Sequence, residues 1–438
     1  MLAQRLTLSL RFLQTSWRPL VLAAVVALVA LTAVRVTAKA LKPGRTGEQS
    51  RTAFLRWRPQ IQALETGTDI YRTFNYPNPP VMALILKPLM TLPPMTGMLA
   101  WFALKVLMAI AMAVMVFRLI ESGGPPMPDW AKALAIGLSL HPILGDLSHG
   151  NVNLFIAFLI IAGLDCYRRG YDVGAGLLIA LAIACKITPA LFIAFFVWKR
   201  SGRTLAAIAT GLALWWVVVP GLLLGFDFNC TLLESWYLGM VKPFLVDGMI
   251  TSEHPNQSLP GLLTRLFTAN ASFIAYSEED DRPIAAATHS ILNLGPTAVA
   301  GIVKAAMLGF AIVMVVFART KSRSGIAFAA ECSLIVLGML LFSERTWKHH
   351  ATTLLLPIAV LVAAAVKTGS RWLWLIAAAV PLLSLVPSGL NEDAQDLAMV
   401  YGVYTVLYLI LSAGMVIVLL SRNKQWSTEL AVTLRLRS

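Results

Sequence analysis

Long runs of apolar residues, separated by short polar or basic stretches, recur along almost the whole chain. A straight helix needs about 20 apolar residues to cross a bilayer core, and shorter runs cross only when packed inside a bundle. By that measure roughly twelve runs are candidate spans. They are Pro19–Val34, Met95–Phe117, Trp130–Leu144, Val152–Cys166, Val173–Cys185, Ile187–Trp198, Thr204–Leu224, Ala298–Ala318, Gly325–Phe342, Ala351–Val366, Trp372–Val386 and Leu397–Leu420. Two stretches break the pattern. In residues 39–94, Phe54, Trp57, Ile61 and Leu64 recur at helical spacing with Arg56, Arg58, Gln60 and Glu65 between them, which predicts an amphipathic helix lying on the membrane surface. Pro77, Pro79, Pro80 and Pro88 then interrupt a short apolar piece, read here as dipping into one leaflet. Residues 225–296 form a long polar loop.

Of the 438 residues, 58% are hydrophobic and 13% charged, and the mean hydropathy is +0.72. These values predict an all-α, polytopic transmembrane bundle of about 10 to 12 spans forming one domain over residues 1–438. The first apolar run ends in RVTAKALK without a small-residue cleavage site, so it reads as an anchored span. The net charge of +14 comes from short basic clusters between apolar runs, which is the mark of membrane topology rather than nucleic-acid binding. Cys166, Cys185, Cys230 and Cys332 are scattered and suggest neither a disulfide framework nor a metal pair.

Lys and Arg are retained in short cytoplasmic loops. With Arg5, Arg11 and Arg18 inside, strict alternation places YRRG at Tyr167, KRSGR at Lys199, RTKSRS at Arg319, KTGSR at Lys367 and SRNK at Ser421 on the same side. Both termini are then cytoplasmic. The opposite face receives residues 39–94, GDLSHGN at Gly145, CKITP at Cys185, residues 225–296, SERTWKHH at Ser343 and NEDAQD at Asn391. The unusual polar chemistry therefore converges on one outward-facing cavity.

Asp146, His149, Asn151 and Asn153 stand where one helix ends and the next begins, and an ionisable group at membrane depth is costly unless paired or wetted. Ser148 or Asn151 reads equally as a helix cap. Lys186 precedes Pro189 inside an apolar run; the broken helix would expose a terminus beside an ammonium, a phosphate site, unless the lysine merely snorkels. His349 and His350 are adjacent and point about 100° apart on a helix, so they cannot share one ligand. One of them, with Arg345 and Lys348, suits a phosphate, and no metal is implied. The surface from Tyr71 to Asn78, including Tyr76, suits a sugar ring or an interfacial aromatic belt. Asn256 and Gln257 add amides from the long loop, whose acidic run Glu278–Asp281 reads as solvated. No Gly-rich phosphate loop or GxGxxG fingerprint occurs, and no cofactor is implied.

Four blocks in order, DIYRTFNYPNPPVMALILKPLMTLPP, SHGNVNLFIAFLIIAGLDCYRRGYDVGAGLLIALAIACKITPALFI, NQSLPGLLTRL and SERTWKHHATTLLLPI, together resemble glycosyltransferase family 87. The resemblance implies a multi-span enzyme of the GT-C type in a bacterial plasma membrane. It would transfer mannose, or a related hexose, from a polyprenyl-phosphate donor to a glycolipid or glycan acceptor on the outer face. Gly67, Asp69 and Tyr71 match the family's turn motif, but Ala53 stands where the family carries its catalytic acid. Asp69 is then the first candidate base, with Asp146, Glu48 and Glu344 behind it. Lys186, Arg345, Lys348 and His349 or His350 are the cations for the phosphate. A catalytically inactive lipid-binding relative and a secondary transporter are the alternatives; no internal repeat supports the transporter.

Overall fold

The structure is a computed structural model in which residues 2–41, 52–74, 76–276, 283–389 and 391–435 are described. Glu48 and the acidic run Glu278–Asp281 lie outside those residues. Every predicted apolar run is helical, and the chain is an integral membrane protein built as an all-α bundle. Among the described residues, seven helices are long and apolar enough to cross a membrane: Arg18–Leu41, Pro94–Glu121, Gly202–Leu224, Pro296–Phe317, Gly325–Phe342, Lys348–Thr368 and Val403–Ser421. The other runs are shorter or more polar helices packed among these. The run Leu397–Leu420 is split: one helix ends at Val400, and the next begins at Val403 after Gly402 takes a φ of 73°.

The first elements are α1 (Leu2–Leu41), α2 (Ala53–Gln62), α3 (Ile70–Phe74), α4 (Pro80–Met90), α5 (Pro94–Glu121), α6 (Asp129–His149), α7 (Asn153–Arg168) and α8 (Asp172–Cys185). The expected amphipathic helix is α2, capped by the Thr52 hydroxyl, which accepts from Leu55 N. Its apolar face, with Phe54, Trp57 and Ile61, is buried in the bundle rather than laid on a lipid surface. Of the four prolines read as interrupting the following segment, Pro80 opens α4 at its first position, where a missing N–H costs nothing, Pro79 precedes it as the cap, and Pro88 lies inside the helix. Val81, Met82, Ala83, Leu86 and Met90 of α4 are buried.

The centre of the bundle holds Gly325–Phe342 and Lys348–Thr368, whose most apolar windows are 72% and 78% buried. Pro296–Phe317 lies at the rim, 11% buried. Close approach among α7, α8 and the helix Gly202–Ala213 depends on small residues, the usual route to helix packing in lipid. A Cβ on Gly176 would stand 2.5 Å from both Ala207 Cβ and the Thr204 carbonyl oxygen, and one on Gly211 would stand 2.6 Å from Ala180 Cβ. The long polar loop contains an unforeseen antiparallel hairpin, β1 (Phe273–Tyr276) and β2 (Pro283–Ala287).

The two ends of the bundle differ in chemistry. At one end the basic loops touch each other. Lys199 Nζ donates to the carbonyls of Ala318 and Thr320 and pairs with the buried Glu331 at 2.6 Å. The Arg323 guanidinium lies 4.2 Å from the Tyr167 ring centroid. A cavity of about 500 Å³ at this end joins Glu121–Pro128, Thr320–Ile326, Lys367 and Ser421. The other end collects the SHGN loop, Lys186, Thr251–Ser258, Glu344–His350 and Glu392–Val400. This is the grouping that loop charge predicted.

Candidate active site

The α6–α7 junction turns at Gly150, whose φ is 67°. A Cβ there would meet Thr52 and Phe54 at 3.2 to 3.5 Å, so the start of α2 packs directly on the SHGN loop. Ala53, in the family's acid position, is buried between those two neighbours in sequence, with 1% of its surface exposed.

Asp146 is fully buried, and neither of its oxygens is free. Oδ2 meets Lys105 Nζ at 3.2 Å and accepts from Leu154 N at 3.3 Å, while Oδ1 accepts from Asn153 Nδ2 at 3.1 Å. Asp146, expected behind Asp69 as a candidate base, is here an internal counter-ion that also accepts from the first turn of α7. Lys105 is equally buried, and its Nζ also donates to the carbonyls of Asp146 at 2.8 Å and Asn151 at 3.1 Å. Asn153 passes the arrangement on, because its Oδ1 accepts from Lys186 Nζ at 2.7 Å.

Lys186 does not snorkel to an interface. Helix α8 ends at Cys185, Lys186 is extended (φ −158°, ψ 125°), and a short 3₁₀ turn follows at Thr188–Ala190. The side chain turns inward to line a cavity of about 30 Å³ with Asn153, Thr188, Ser343, Thr346 and His350. That is room for a water molecule and polar enough to hold one.

The two adjacent histidines face different neighbours. Their rings are nearly perpendicular, at 88°. His349 stacks on His149, with centroids 4.5 Å apart, and its Nε2 lies 3.3 Å from Asn151 Nδ2. Asn151 Oδ1 also accepts from Val152 N at 2.7 Å, just before α7 begins. His350 Nδ1 accepts from Trp347 N while the ring faces the Lys186 cavity. Arg345 Nε reaches Thr251 Oγ1 at 3.4 Å, and Lys348 Nζ donates to Gln395 Oε1 at 3.0 Å.

Glu344 differs from Asp146. It is half-buried, and among the described residues its side chain makes no hydrogen bond or ion pair of its own. Burial raises its pKa above the ordinary glutamate value, opposed by the nearby charges of Arg345 and Lys186.

Asp69 is engaged. Its Oδ1 accepts from Tyr71 N and Arg72 N at the start of α3, and its Oδ2 accepts from Ser235 Oγ at 2.6 Å and meets Arg72 Nε at 3.4 Å. The side chain retains 16% exposure. It ties the first outer segment to Phe226–Trp236.

Four residues read as sugar contacts are buried or bonded within the protein. Tyr71 donates to the Asn78 carbonyl and is buried, and Tyr76 is fully buried edge-on against Trp57 at 5.7 Å. Asn256 is buried, its Nδ2 donating to the carbonyls of Thr251 and Glu344 and its Oδ1 accepting from Ser258 N and Thr346 N. Gln257 is likewise consumed by His254 O, Met399 O and Tyr404 N. Aromatic and amide residues signal a sugar site only when their polar edges remain free, which composition does not reveal. Lys105 was missed, although a lysine in the apolar run Met95–Phe117 was visible as a costly charge. Among the described residues, no group of three or more His, Cys, Asp or Glu is placed to hold a metal ion.

One end of the bundle thus gathers Lys186, Arg345, Lys348, three histidines and the Glu344 carboxylate. Residues 76–344 match glycosyltransferase family 87, more than half of the chain, and the protein belongs to that family. Two similar proteins are described as polyprenol-phosphate-mannose-dependent alpha-(1-2)-phosphatidylinositol mannoside mannosyltransferases. The one from Mycobacterium tuberculosis is 28% identical over 156 residues, 33% of this chain and 36% of that protein. The one from Mycolicibacterium smegmatis is 31% identical over 140 residues, 31% of this chain and 30% of that protein. The chain thus aligns with about a third of each relative's length. Among solved structures, ArnT from Cupriavidus metallidurans in the apo state aligns with 92% of this chain and 77% of its own, at a TM-score of 0.38 and 12% identity.

Proposed function

We propose that this protein is a membrane glycosyltransferase that moves a hexose, mannose by preference, from a polyprenyl-phosphate donor to a glycolipid or glycan acceptor. The reaction runs on the extracytoplasmic face of the bacterial plasma membrane, with both termini in the cytoplasm. The observation that carries this reading is that Lys186 and His350 line one small cavity with Ser343 and Thr346, the residues that flank Glu344 and Arg345 in the chain.

The chemistry needs a base for the acceptor hydroxyl and cations for the departing lipid phosphate. Glu344 takes the proton as the acceptor oxygen attacks the anomeric carbon. The bond from that carbon to the phosphate oxygen breaks with inversion, and Lys186 and Arg345 stabilise the charge released onto the phosphate. A base works best with a pKa near the operating pH, which burial of Glu344 favours. Asp69, with both oxygens engaged, holds the first outer segment in place.

The test is incubation of membranes containing the protein with radiolabelled polyprenyl-phosphate-mannose and a panel of lipid and glycan acceptors. Transfer that disappears in Glu344→Gln supports the assignment. Ala53 in the family's acid position favours a second reading, a relative that binds the lipid without turnover. Binding of polyprenyl phosphate with no transfer to any acceptor would select it.

A further inference from the structure

We infer that Lys105, with Trp101 one turn before it, is a positioning residue that fixes the Lys186 ammonium and the His149–Asn151 loop in the geometry that receives the donor phosphate. The inference rests on the functional reading above and names a device that reading does not require. Both residues lie on the same face of α5, four positions apart. Together they hold the α6–α7 junction by its backbone: Trp101 Nε1 donates to the Gly150 carbonyl at 3.3 Å, and Lys105 Nζ donates to the carbonyls of Asp146 and Asn151. The junction is the support on which His149 meets His349. A second line of contacts leaves the same ammonium through Asp146 Oδ2, crosses from Oδ1 to Asn153 Nδ2, and leaves Asn153 Oδ1 for Lys186 Nζ.

Orientation of Asn153 is the step on which this depends. An amide can turn either end toward a neighbour, and Lys186 requires the oxygen. The Asp146 carboxylate accepts only, so it fixes the amide nitrogen on its own side and delivers the oxygen to the lysine. Lys105 faces the buried Asp146 carboxylate at 3.2 Å, and a buried charge that loses its partner is strongly unfavourable.

Removing one partner would destabilise the fold and say little, so the decisive variant is the neutral pair Lys105→Met/Asp146→Asn. Replacing a whole buried ion pair is often neutral for stability, yet an asparagine at position 146 no longer dictates which way Asn153 faces. The measurement is equilibrium binding of polyprenyl phosphate to the detergent-purified full-length protein, alongside its thermal unfolding midpoint and transfer kinetics. With wild-type binding present and a midpoint near wild type, the pair variant is expected to bind about 10-fold or more weakly, one charge-assisted contact being at stake. Its donor KM rises accordingly.

Asn153→Leu, which cuts the link while sparing the ion pair, should reproduce the loss, and it serves if the pair variant does not fold. Lys105→Arg/Asp146→Glu should retain part of the affinity. Wild-type affinity in the folded pair variant, or in Asn153→Leu, overturns the positioning role while leaving the glycosyltransferase reading intact. Absence of binding by the wild-type protein defeats that reading first, and this inference with it.

Discussion

The rings of His149 and His349 stack with centroids 4.5 Å apart and an interplanar angle of 27°, joining the end of α6 to the turn that opens Lys348–Thr368. Two residues 200 positions apart in sequence are thus brought into contact. His349→Phe keeps a flat ring in the stack and removes the nitrogen that meets Asn151. Transfer measured as kcat/KM should fall about 10- to 100-fold, the effect of one lost polar contact in a buried site, with little change in thermal midpoint. Full activity would mean that the stack matters only as packing.

Glu344→Gln preserves size and removes the proposed base. Its kcat should drop about 10²- to 10⁴-fold while polyprenyl-phosphate binding persists. Asp69→Asn, by contrast, should act mainly on stability, through Ser235 and the α3 cap. If Asp69→Asn abolishes transfer in a folded protein and Glu344→Gln does not, the base is Asp69.

The pH dependence has a definite sign. Burial raises the Glu344 pKa, and the base must be ionised to accept a proton. Activity is therefore retained above that raised value and lost as the pH falls through it. The acid limb of kcat/KM should lie above about pH 4.3, where an exposed glutamate titrates. A limb at or below that pH would assign the titration to another group.

Sidedness can be read by thiol labelling in a cysteine-free background. Ser322 stands at the basic end and Ser252 at the end that carries the site. An impermeant reagent applied to intact cells should spare a cysteine at 322 and label one at 252. The opposite pattern would invert the topology.

Gly176→Ala tests the close helix approach. The added methyl would stand 2.5 Å from the Thr204 carbonyl oxygen, which is backbone and cannot turn away. Overpacking of this kind costs about 1 to 3 kcal/mol, read as a lowered unfolding midpoint in detergent. Gly137→Ala, with nothing within 4 Å of the new Cβ, is the control and should be neutral.

Much of this molecule was legible in its sequence because lipid imposes strong rules. Apolar runs had to become helices, and the loops at Tyr167, Lys199 and Arg319 clustered as their charges required. The break after Cys185 followed from Pro189. Pairing across the bundle was not legible. Lys105 finds Asp146 only because α5 packs beside the α6–α7 junction, and Asn256 resembles a sugar ligand until its amide is seen bridging two backbone segments. The same holds for Gln257 and Tyr76, whose residue types suit a ligand but whose surroundings are protein on every side. The hairpin at Phe273–Ala287 carries no alternation strong enough to separate it from loop.

The span Pro296–Phe317, scarcely embraced by its neighbours, is 22 residues long, which is about 33 Å of helix and close to the thickness of a bilayer's hydrocarbon core. With so few protein contacts, its inclination answers to the lipid around it. Its leading end is moored to the loop before it, where Leu294 N donates to the Phe267 carbonyl and Ile291 N to that of Leu266. Thinning of the bilayer would lean this helix and pull on Leu259–Phe267, the segment whose Arg265 grips the carbonyls of Ser252, Glu253 and Asn256. Membrane thickness thereby gains a mechanical line to the loop that Asn256 fastens beside Glu344.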